Sequence, residues 1–238
     1  MTSRFDGQLA VVTGVGRRGQ VGEAVAAAFA SLGADVALID RTPAAVADRA
    51  AELRATGATA TAHACDLTDP AALDRTVAAI APSAHRGVHA LVCLAGGFAS
   101  SGPLDESDPD GWHRQLAINL TSAYLTTRAF LPLVRRASGA IVYFASASAL
   151  PGARTGKTAA YAAAKSAVVA LMQSVAQEEK PRGVRANALA PTTIRTADNV
   201  ASMGEDAAYV ERETVAGWVT HLCSEASRQM SGQVLRLG

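Results

Sequence analysis

The sequence has few cysteines, no histidine cluster, no excess of charge and no long uninterrupted apolar segment. Its three cysteines, at positions 65, 93 and 223, are odd in number and widely spaced, which indicates neither a disulfide framework nor a zinc site. The five histidines form no metal-binding pattern of the His-Glu-x-x-His kind. We therefore expect no bound metal and a reducing, cytoplasmic location.

Charge and hydropathy exclude two further classes of partner. Twenty-two basic and 21 acidic residues give a formal net charge of +1, so the composition provides no electrostatic reason to expect nucleic acid or an anionic membrane surface. Residues 1–8 are polar and lack the apolar core of an export signal. No run approaches the roughly eighteen apolar residues that span a bilayer, and Lys165 interrupts the most apolar helix.

Strand-like and helix-like segments alternate along the chain. Strands are predicted at 9–12, 35–39, 59–65, 88–94, 140–145, 184–189 and 233–237, and helices at 21–32, 43–55, 70–81, 111–133, 159–178 and 214–224. This alternation predicts an α/β fold, a doubly wound parallel sheet (Rossmann fold) of about seven strands with helices on both faces, in a single domain over residues 1–238. Such a sheet binds ligands at the carboxyl ends of its strands.

A glycine-rich turn follows the first predicted strand. Gly14, Gly16, Gly19 and Gly22 lie between that strand and a helix whose apolar residues recur at helical spacing. The free N–H groups at the start of such a helix suit a pyrophosphate. Because Asp40 ends the second strand, where an acid binds the hydroxyls of an adenosine ribose, the order of elements predicts a dinucleotide site.

Tyr161 and Lys165 lie four residues apart in an alanine-rich segment that favours a helix, so their side chains project from the same face. A phenol has an ordinary pKa of about 10, and a nearby ammonium favours the phenolate, which predicts a lowered pKa for Tyr161. The pair can therefore act together on one substrate atom.

In combination, these motifs resemble the short-chain dehydrogenase/reductase family from about residue 8 to residue 237. The glycine-rich loop is about two residues longer than the family's usual loop and is similar to that of its enoyl-reductase-like branch. The Ala-Gly-Gly at 95–97 and the short segment between Thr196 and residue 214 give a weaker likeness to its dihydropteridine-reductase branch. In relatives this segment folds over the substrate, so its shortness implies an open site or one completed by a neighbouring subunit.

The resemblance implies two sets of site residues. The catalytic set is Asn119, Ser146, Tyr161 and Lys165, with Ser148 in reserve because the spacing to the tyrosine selects it while the strand end selects Ser146. The cofactor-binding set is Gly14, Gly16, Arg17, Arg18, Gly19, Val21, Gly22, Asp40, Arg41, Asp66, Leu67, Ala95, Gly96, Tyr161, Lys165, Pro191, Ile194 and Thr196.

Two positions depart from the family pattern. Leu94 replaces the asparagine of the family's Asn-Ala-Gly strand end, which removes a structural hydrogen bond rather than a catalytic group. Thr192 replaces the glycine that usually follows the proline at 191, and a β-branched residue avoids positive φ, so we expect that turn to differ locally.

The activity implied is hydride transfer between a nicotinamide cofactor and a small ketone or secondary alcohol. Asp40 favours NAD over NADP, although Arg17, Arg18 and Arg41 offer positive charge for a 2′-phosphate. The resemblance also implies a homodimer or homotetramer that pairs the helices at 111–133 and 159–178.

Three other functions are compatible with a chain of this length and composition to different degrees. A hydrolase is disfavoured because no Gly-x-Ser-x-Gly elbow occurs in the sequence. A nucleotide-binding sensor or scaffold without turnover, and a pteridine-type reductase within the family, stay open.

Overall fold

The computed structural model describes residues 4–238, so the first three residues of the polar segment 1–8 lie outside the described range. Its strands are β1 (Leu9–Thr13), β2 (Asp35–Asp40), β3 (Ala60–Ala64), β4 (Ala90–Cys93), β5 (Ala140–Phe144), β6 (Arg185–Pro191), β7 (Ile194–Arg195), β8 (Val210–Glu211) and β9 (Val234–Leu237). Seven of them form one parallel sheet in the order β3-β2-β1-β4-β5-β6-β9. The predicted doubly wound sheet of about seven strands is confirmed.

Helices cover both faces of this sheet. They are α1 (Val21–Ser31), α2 (Pro43–Ala55), α3 (Pro70–Ile80), α4 (Pro109–Leu116), α5 (Ser122–Ala137), α6 (Ala159–Glu179), α7 (Ala197–Met203) and α8 (Arg212–Cys223). One core cluster joins the sheet to α1, α2 and α8, and the other joins it to α3, α5 and α6. The central strands β1, β4 and β5 are buried on both faces, as their continuous apolar sequences require, whereas the edge strands β3 and β9 are only partly buried.

Two parts of the chain differ from the sequence-based prediction. The helix predicted at 111–133 is α4, a π-helical turn (Ala117–Thr121) and α5, which continues to Ala137. The segment after Thr196, for which no element was predicted, contains α7 and β8, and β8 pairs with β7, which lies just before Thr196. In both places the deviation depends on tertiary contacts of polar side chains, which local periodicity does not report.

One described helix, Ala159–Arg182, is long and apolar enough to cross a membrane by length and composition, although the sequence predicted no such run. It contains α6, whose Val168 and Met172 are buried in the core cluster that joins the sheet to α3, α5 and α6. We therefore interpret it as a core helix.

Candidate active site

The glycine-rich turn brings the backbone close to two neighbouring strand ends. Gly14 and Gly19 adopt left-handed φ angles of +75° and +72°, a region that favours glycine. A Cβ on Gly14 would lie 2.9 Å from the Cα of Ala95, at the end of β4. A Cβ on Gly16 would lie 2.6 Å from the carboxylate of Asp40, at the end of β2. These positions therefore require glycine because no side chain fits there.

Asp40 is bound to the turn itself. Its Oδ2 accepts a hydrogen bond from the Gly16 N–H at 2.8 Å, and its Oδ1 accepts one from the Thr42 N–H at 3.1 Å. The carboxylate thus has a fixed position beside the glycine-rich backbone. This is where the sequence predicted the acid that faces an adenosine ribose.

The three arginines near Asp40 lie on the protein surface. Arg17 forms an ion pair with Asp198 of α7, and Arg18 forms one with Glu52 of α2. Arg41 is exposed and contributes to lowering the pKa of Asp66, for which the larger cause is hydrogen bonding from Thr68. The charges of Arg17 and Arg18 are thus balanced by acids within this chain.

Glu23, on the first turn of α1, is a residue that the sequence analysis missed. Its carboxylate accepts from the Gly19 N–H at 2.7 Å and from Arg49 at 3.0 Å, and Arg212 lies at 3.4 Å. It therefore connects the glycine-rich turn to α2 and α8. Its position four residues after Gly19, at the start of a helix, was the available signal, since acids favour helix N-termini.

Thr13 binds the end of β4 at Leu94. Its Oγ1 donates to the Val92 carbonyl at 3.0 Å and accepts from the N–H groups of Leu94 and Ala95 at 3.1 and 3.2 Å. The end of β4 is thus held by a hydroxyl from β1, and Leu94 needs no polar side chain for that purpose.

Asn119 lies in the π-helical turn and is buried. Its side chain bonds both backbone groups of Gly97 and both the carbonyl and the side-chain oxygen of Gln115, at 3.0 to 3.1 Å. A Cβ on Gly96 would lie 2.5 Å from Asn119 Oδ1 and 3.4 Å from Lys165 Nζ. Gly96 therefore lies between the two predicted catalytic side chains. Short π-helical segments of this kind are frequent at functional sites.

Ser146 follows β5 and influences the Tyr161 phenol. Burial raises the pKa of the Tyr161 phenol, and a hydrogen bond with Ser146 opposes that rise. Ser148 donates to the Ser146 hydroxyl through its Oγ at 2.9 Å and its N–H at 3.2 Å. Ser146 is thus the serine at the phenol, and Ser148 lies behind it.

Tyr161 and Lys165 share one face of α6, and the Lys165 Nζ lies 5.9 Å from the centroid of the Tyr161 ring. The ammonium donates to the Phe144 carbonyl at 2.7 Å. Burial lowers the pKa of Lys165 to about 8. The expectation that this ammonium lowers the pKa of Tyr161 was wrong, because burial of the phenol has the larger effect and raises that pKa.

The segment after β6 folds back onto the glycine-rich turn. The Thr196 hydroxyl caps α7 by accepting from the Asn199 N–H at 3.2 Å, and the Ala197 N–H donates to the Gly19 carbonyl at 3.0 Å. Pro191 ends β6, and Ile194 lies in β7. The described non-glycine residues with positive φ do not include Thr192, as predicted for a β-branched side chain.

Asp66 and Leu67 follow β3, at the same edge of the sheet as Asp40. Asp66 is exposed, and its Oδ1 accepts from the N–H and the hydroxyl of Thr68 at 2.8 and 2.6 Å. Leu67 is buried in the core cluster that contains α3. The carboxylate is therefore accessible, while its neighbour anchors the loop.

These residues fit a dinucleotide. The N-cap of α1, Gln20, makes no side-chain capping bond, so N–H groups at that helix start are left for a phosphate. The glycine backbone lies against Asp40 without an intervening side chain. Predicted cofactor-binding and catalytic residues thus meet along the carboxyl ends of β1, β2, β4 and β5.

The known proteins that this chain resembles include several named dehydrogenases. Residues 8–207 match the family model described as short chain dehydrogenase. The 2-(S)-hydroxypropyl-CoM dehydrogenase 3 of Xanthobacter autotrophicus is 35% identical over 82% of this chain and 74% of its own length. A galactitol 2-dehydrogenase of Cereibacter sphaeroides is 39% identical over 81% and 74%. A third relative, 37% identical over 73% of each chain, is named an inactive hydroxypropyl-CoM dehydrogenase from the same Xanthobacter strain.

Solved structures share the fold and differ in nucleotide. An NAD⁺-bound xylitol dehydrogenase has a TM-score of 0.88 and 25% identity over 98% of both chains. A protein proposed to be an NAD(P)-dependent gluconate 5-dehydrogenase, from Beutenbergia cavernae, has a TM-score of 0.87 and 34% identity, and covers 98% of this chain and 96% of its own. The latter contains NADP at low occupancy.

Proposed function

The chain belongs to the short-chain dehydrogenase/reductase family, and from this premise we propose that it transfers a hydride between a nicotinamide cofactor and a small carbonyl or secondary-alcohol substrate. The observation that carries the proposal is that Tyr161 and Lys165 share one face of α6, and that Lys165 bonds the Phe144 carbonyl at the strand end that Ser146 follows. When bound, the nicotinamide supplies or accepts the hydride.

Tyr161 is the proposed proton donor for carbonyl reduction and the acceptor for alcohol oxidation. Burial favours the neutral phenol, so the group holds its proton until a substrate oxygen reaches it. The Ser146 hydroxyl receives a hydrogen bond from Ser148, which leaves its own proton free for the substrate oxygen. A donor at that position stabilises the negative charge that develops on oxygen.

Lys165 is proposed to hold the nicotinamide ribose and to favour the phenolate once the proton has left Tyr161. At neutral pH it stays cationic, because burial lowers its pKa only to about 8. Asn119 is proposed to hold a water that connects Lys165 to solvent. The absence of a side chain at Gly96, between the two, supports this role.

NAD is the proposed cofactor. Asp40 is fixed beside the turn by the Gly16 N–H, and its negative charge repels a 2′-phosphate. Arg17 and Arg18, the cations that could attract that phosphate, are already paired with Asp198 and Glu52. Titration with NADH and NADPH checks this proposal, and tighter binding of NADPH contradicts it.

We further propose a cytoplasmic homodimer or homotetramer with one domain per chain. Cys65, Cys93 and Cys223 are all free and buried, which suits a reducing compartment. Trp112 of α4 and Tyr124 of α5 are 37% and 48% exposed, and they support pairing through those helices. Sedimentation that shows only monomer contradicts the assembly.

The decisive experiment measures nicotinamide absorbance with a panel of ketones, quinonoid pterins and secondary alcohols in the presence of NADH, NADPH or their oxidised forms. One close relative is named inactive, so family membership alone does not establish turnover. We expect the wild type to turn over at least one ketone or alcohol, and Tyr161→Phe to bind nucleotide normally without turnover. Turnover that survives in Tyr161→Phe refutes the assigned role, and a wild type that is inactive throughout the panel supports a binding protein instead.

A further inference from the structure

Phe98 lies in contact with the proposed proton donor and is not part of the core. Its ring meets the Tyr161 ring edge to face, with centroids 5.2 Å apart and an interplanar angle of 80°. Phe98 is nevertheless 67% exposed. An exposed phenylalanine alone carries no information about function, but this one touches the reacting side chain.

The backbone on the N-terminal side of Phe98 is fixed. Gly97 is bound by Asn119 through both its N–H, at 3.1 Å, and its carbonyl, at 3.0 Å. Asn119 is itself buried. Phe98 therefore leaves a rigid point at the end of β4 rather than a free loop.

The C-terminal side is fixed by a single carbonyl. Lys157, at a left-handed φ of +63°, accepts at its carbonyl from the Ser101 N–H at 2.8 Å, the Ser101 hydroxyl at 3.2 Å and the Ser100 hydroxyl at 2.9 Å. Lys157 precedes Tyr161 by four residues, so this attachment joins the loop to the start of α6.

The same hydrogen bonds determine which groups this loop presents to a substrate beside Tyr161. The hydroxyls of Ser100 and Ser101 are directed to the Lys157 carbonyl. Phe98 offers only ring carbons. A substrate hydroxyl placed against that ring would lose its bonds to water without gaining a partner, whereas a methyl, methylene or aryl group would lose nothing.

We propose that Phe98 is a specificity-determining residue that selects substrates whose reacting carbon carries an apolar group on the side of this ring. This inference rests on the proposed function and deepens it. It separates the chain from its polyol-oxidising relatives, whose names specify galactitol and xylitol.

The experiment compares two ketones that differ at one group, butan-2-one and hydroxyacetone, and adds 1-phenylpropan-2-one as a ketone with an aromatic substituent. The quantity measured is the ratio of kcat/KM for each apolar ketone to that for hydroxyacetone. We expect a ratio above about ten in the wild type, because one mismatched pocket contact changes kcat/KM by roughly 10- to 200-fold. Phe98→Leu should preserve the ratio within about threefold, and Phe98→Ser should lower it about tenfold, since serine supplies a hydroxyl in place of the ring.

Trp218→Ala is the matched control. Trp218 is a half-exposed aromatic residue on α8 that also packs edge to face, against His221 with centroids 5.7 Å apart, but it lies outside the site. This control should leave the ratio unchanged, and every variant should bind NADH as the wild type does.

Failure of the role proposed for Phe98 can be distinguished from failure of the proposed oxidoreductase function. A wild type that prefers hydroxyacetone, a ratio unaffected by Phe98→Ser, or an equal loss of turnover on all three ketones overturns the role of Phe98 and leaves the proposed function standing. A wild type that reduces no ketone and oxidises no alcohol overturns both.

Discussion

The Asn119 side chain binds both backbone polar groups of Gly97, accepting from its N–H at 3.1 Å and donating to its carbonyl at 3.0 Å. The same amide donates to the backbone and side chain of Gln115. The end of β4 and the π-helical turn are therefore joined by one side chain. Because this side chain is buried, water cannot replace its bonds without rearrangement.

Asn119→Ala removes every one of these bonds, and we expect the free energy of unfolding to fall by about 2 kcal/mol. The turnover number should fall more than tenfold, since Gly96 and Gly97 lie beside Lys165 and Phe98. Denaturant titration and steady-state kinetics measure the two effects. Asn119→Asp keeps the acceptor but places a buried carboxylate against the oxygens of Gly97 and Gln115, so it should be at least as destabilised as Asn119→Ala. An unchanged free energy of unfolding in Asn119→Ala would show that the hydrogen bonds of Asn119 do not stabilise the fold.

Gly16→Ala tests the close contact between the glycine-rich turn and β2. A Cβ there would lie 2.6 Å from the Asp40 carboxylate, so either the side chain or the turn must move. We expect the Kd for NADH to rise about tenfold or more, because Asp40 loses its position at the ribose. Gly217→Ala is the control, since no heavy atom lies within 4 Å of its added Cβ. NADH fluorescence titration measures the Kd. Equal Kd values in the wild type and Gly16→Ala would contradict the assignment of this turn to the nucleotide site.

Most of the sheet could be predicted from the sequence because its strands are short apolar runs that end near turn residues. The segment Leu9–Thr13 is buried at every position, and so is Ala140–Phe144. A two-sided apolar run has few alternatives to a central parallel strand. The observed strand and helix limits lie within a few residues of the predicted ones for the same reason.

Elements that depend on contacts distant in sequence could not be predicted in this way. The helix α7 begins at the Thr196 cap and is held by the Ala197 N–H on the Gly19 carbonyl, almost 180 residues away along the chain. The ion pair of Arg17 with Asp198 spans a similar separation. The pKa of Tyr161 was predicted in the wrong direction because spacing reports a neighbouring charge and does not report burial.

Ser146→Ala and Ser148→Ala distinguish the two serines that the sequence left open. Ser146 lowers the pKa of the Tyr161 phenol against the effect of burial, whereas Ser148 donates to Ser146. We expect Ser146→Ala to lower kcat about 100-fold, the usual cost of one donor at a developing oxyanion, and Ser148→Ala to lower it less than tenfold. Single-turnover rates with saturating cofactor measure this order. The reverse order would assign the catalytic role to Ser148.

Asp40→Ser tests the choice between NAD and NADP. The variant removes the carboxylate that accepts from Gly16 and Thr42, and with it the charge that repels a 2′-phosphate. We expect the ratio of Kd values for NADPH and NADH to fall at least about tenfold. Asp74→Ser removes an exposed acid from α3 and should leave the ratio unchanged. A ratio that does not move in Asp40→Ser would mean that other groups determine the preference.

Lys165 should make the stability of the nucleotide-free protein depend on pH. Burial lowers its pKa to about 8 from the ordinary value of 10.5. Between these two values the unfolded chain holds a proton that the folded chain has lost, so unfolding takes up a proton and this group's contribution to stability rises with pH. Between a pH below 8 and a pH above 10.5, the contribution of Lys165 to the free energy of unfolding rises by roughly 3 kcal/mol.

Other groups act in the opposite direction, so the measurement must isolate Lys165. Burial raises the pKa of Cys93 and of Cys223 to about 12, and these thiols make stability fall with pH above their ordinary value of 9.0. Lys165→Met keeps both thiols and removes the amine. We therefore expect the variant to be more stable than the wild type at pH 7.5, and the difference to shrink steadily towards pH 10.5. Denaturant unfolding at four pH values measures this difference, and a difference that is constant with pH would show that the amine has the same pKa in the folded and unfolded chains.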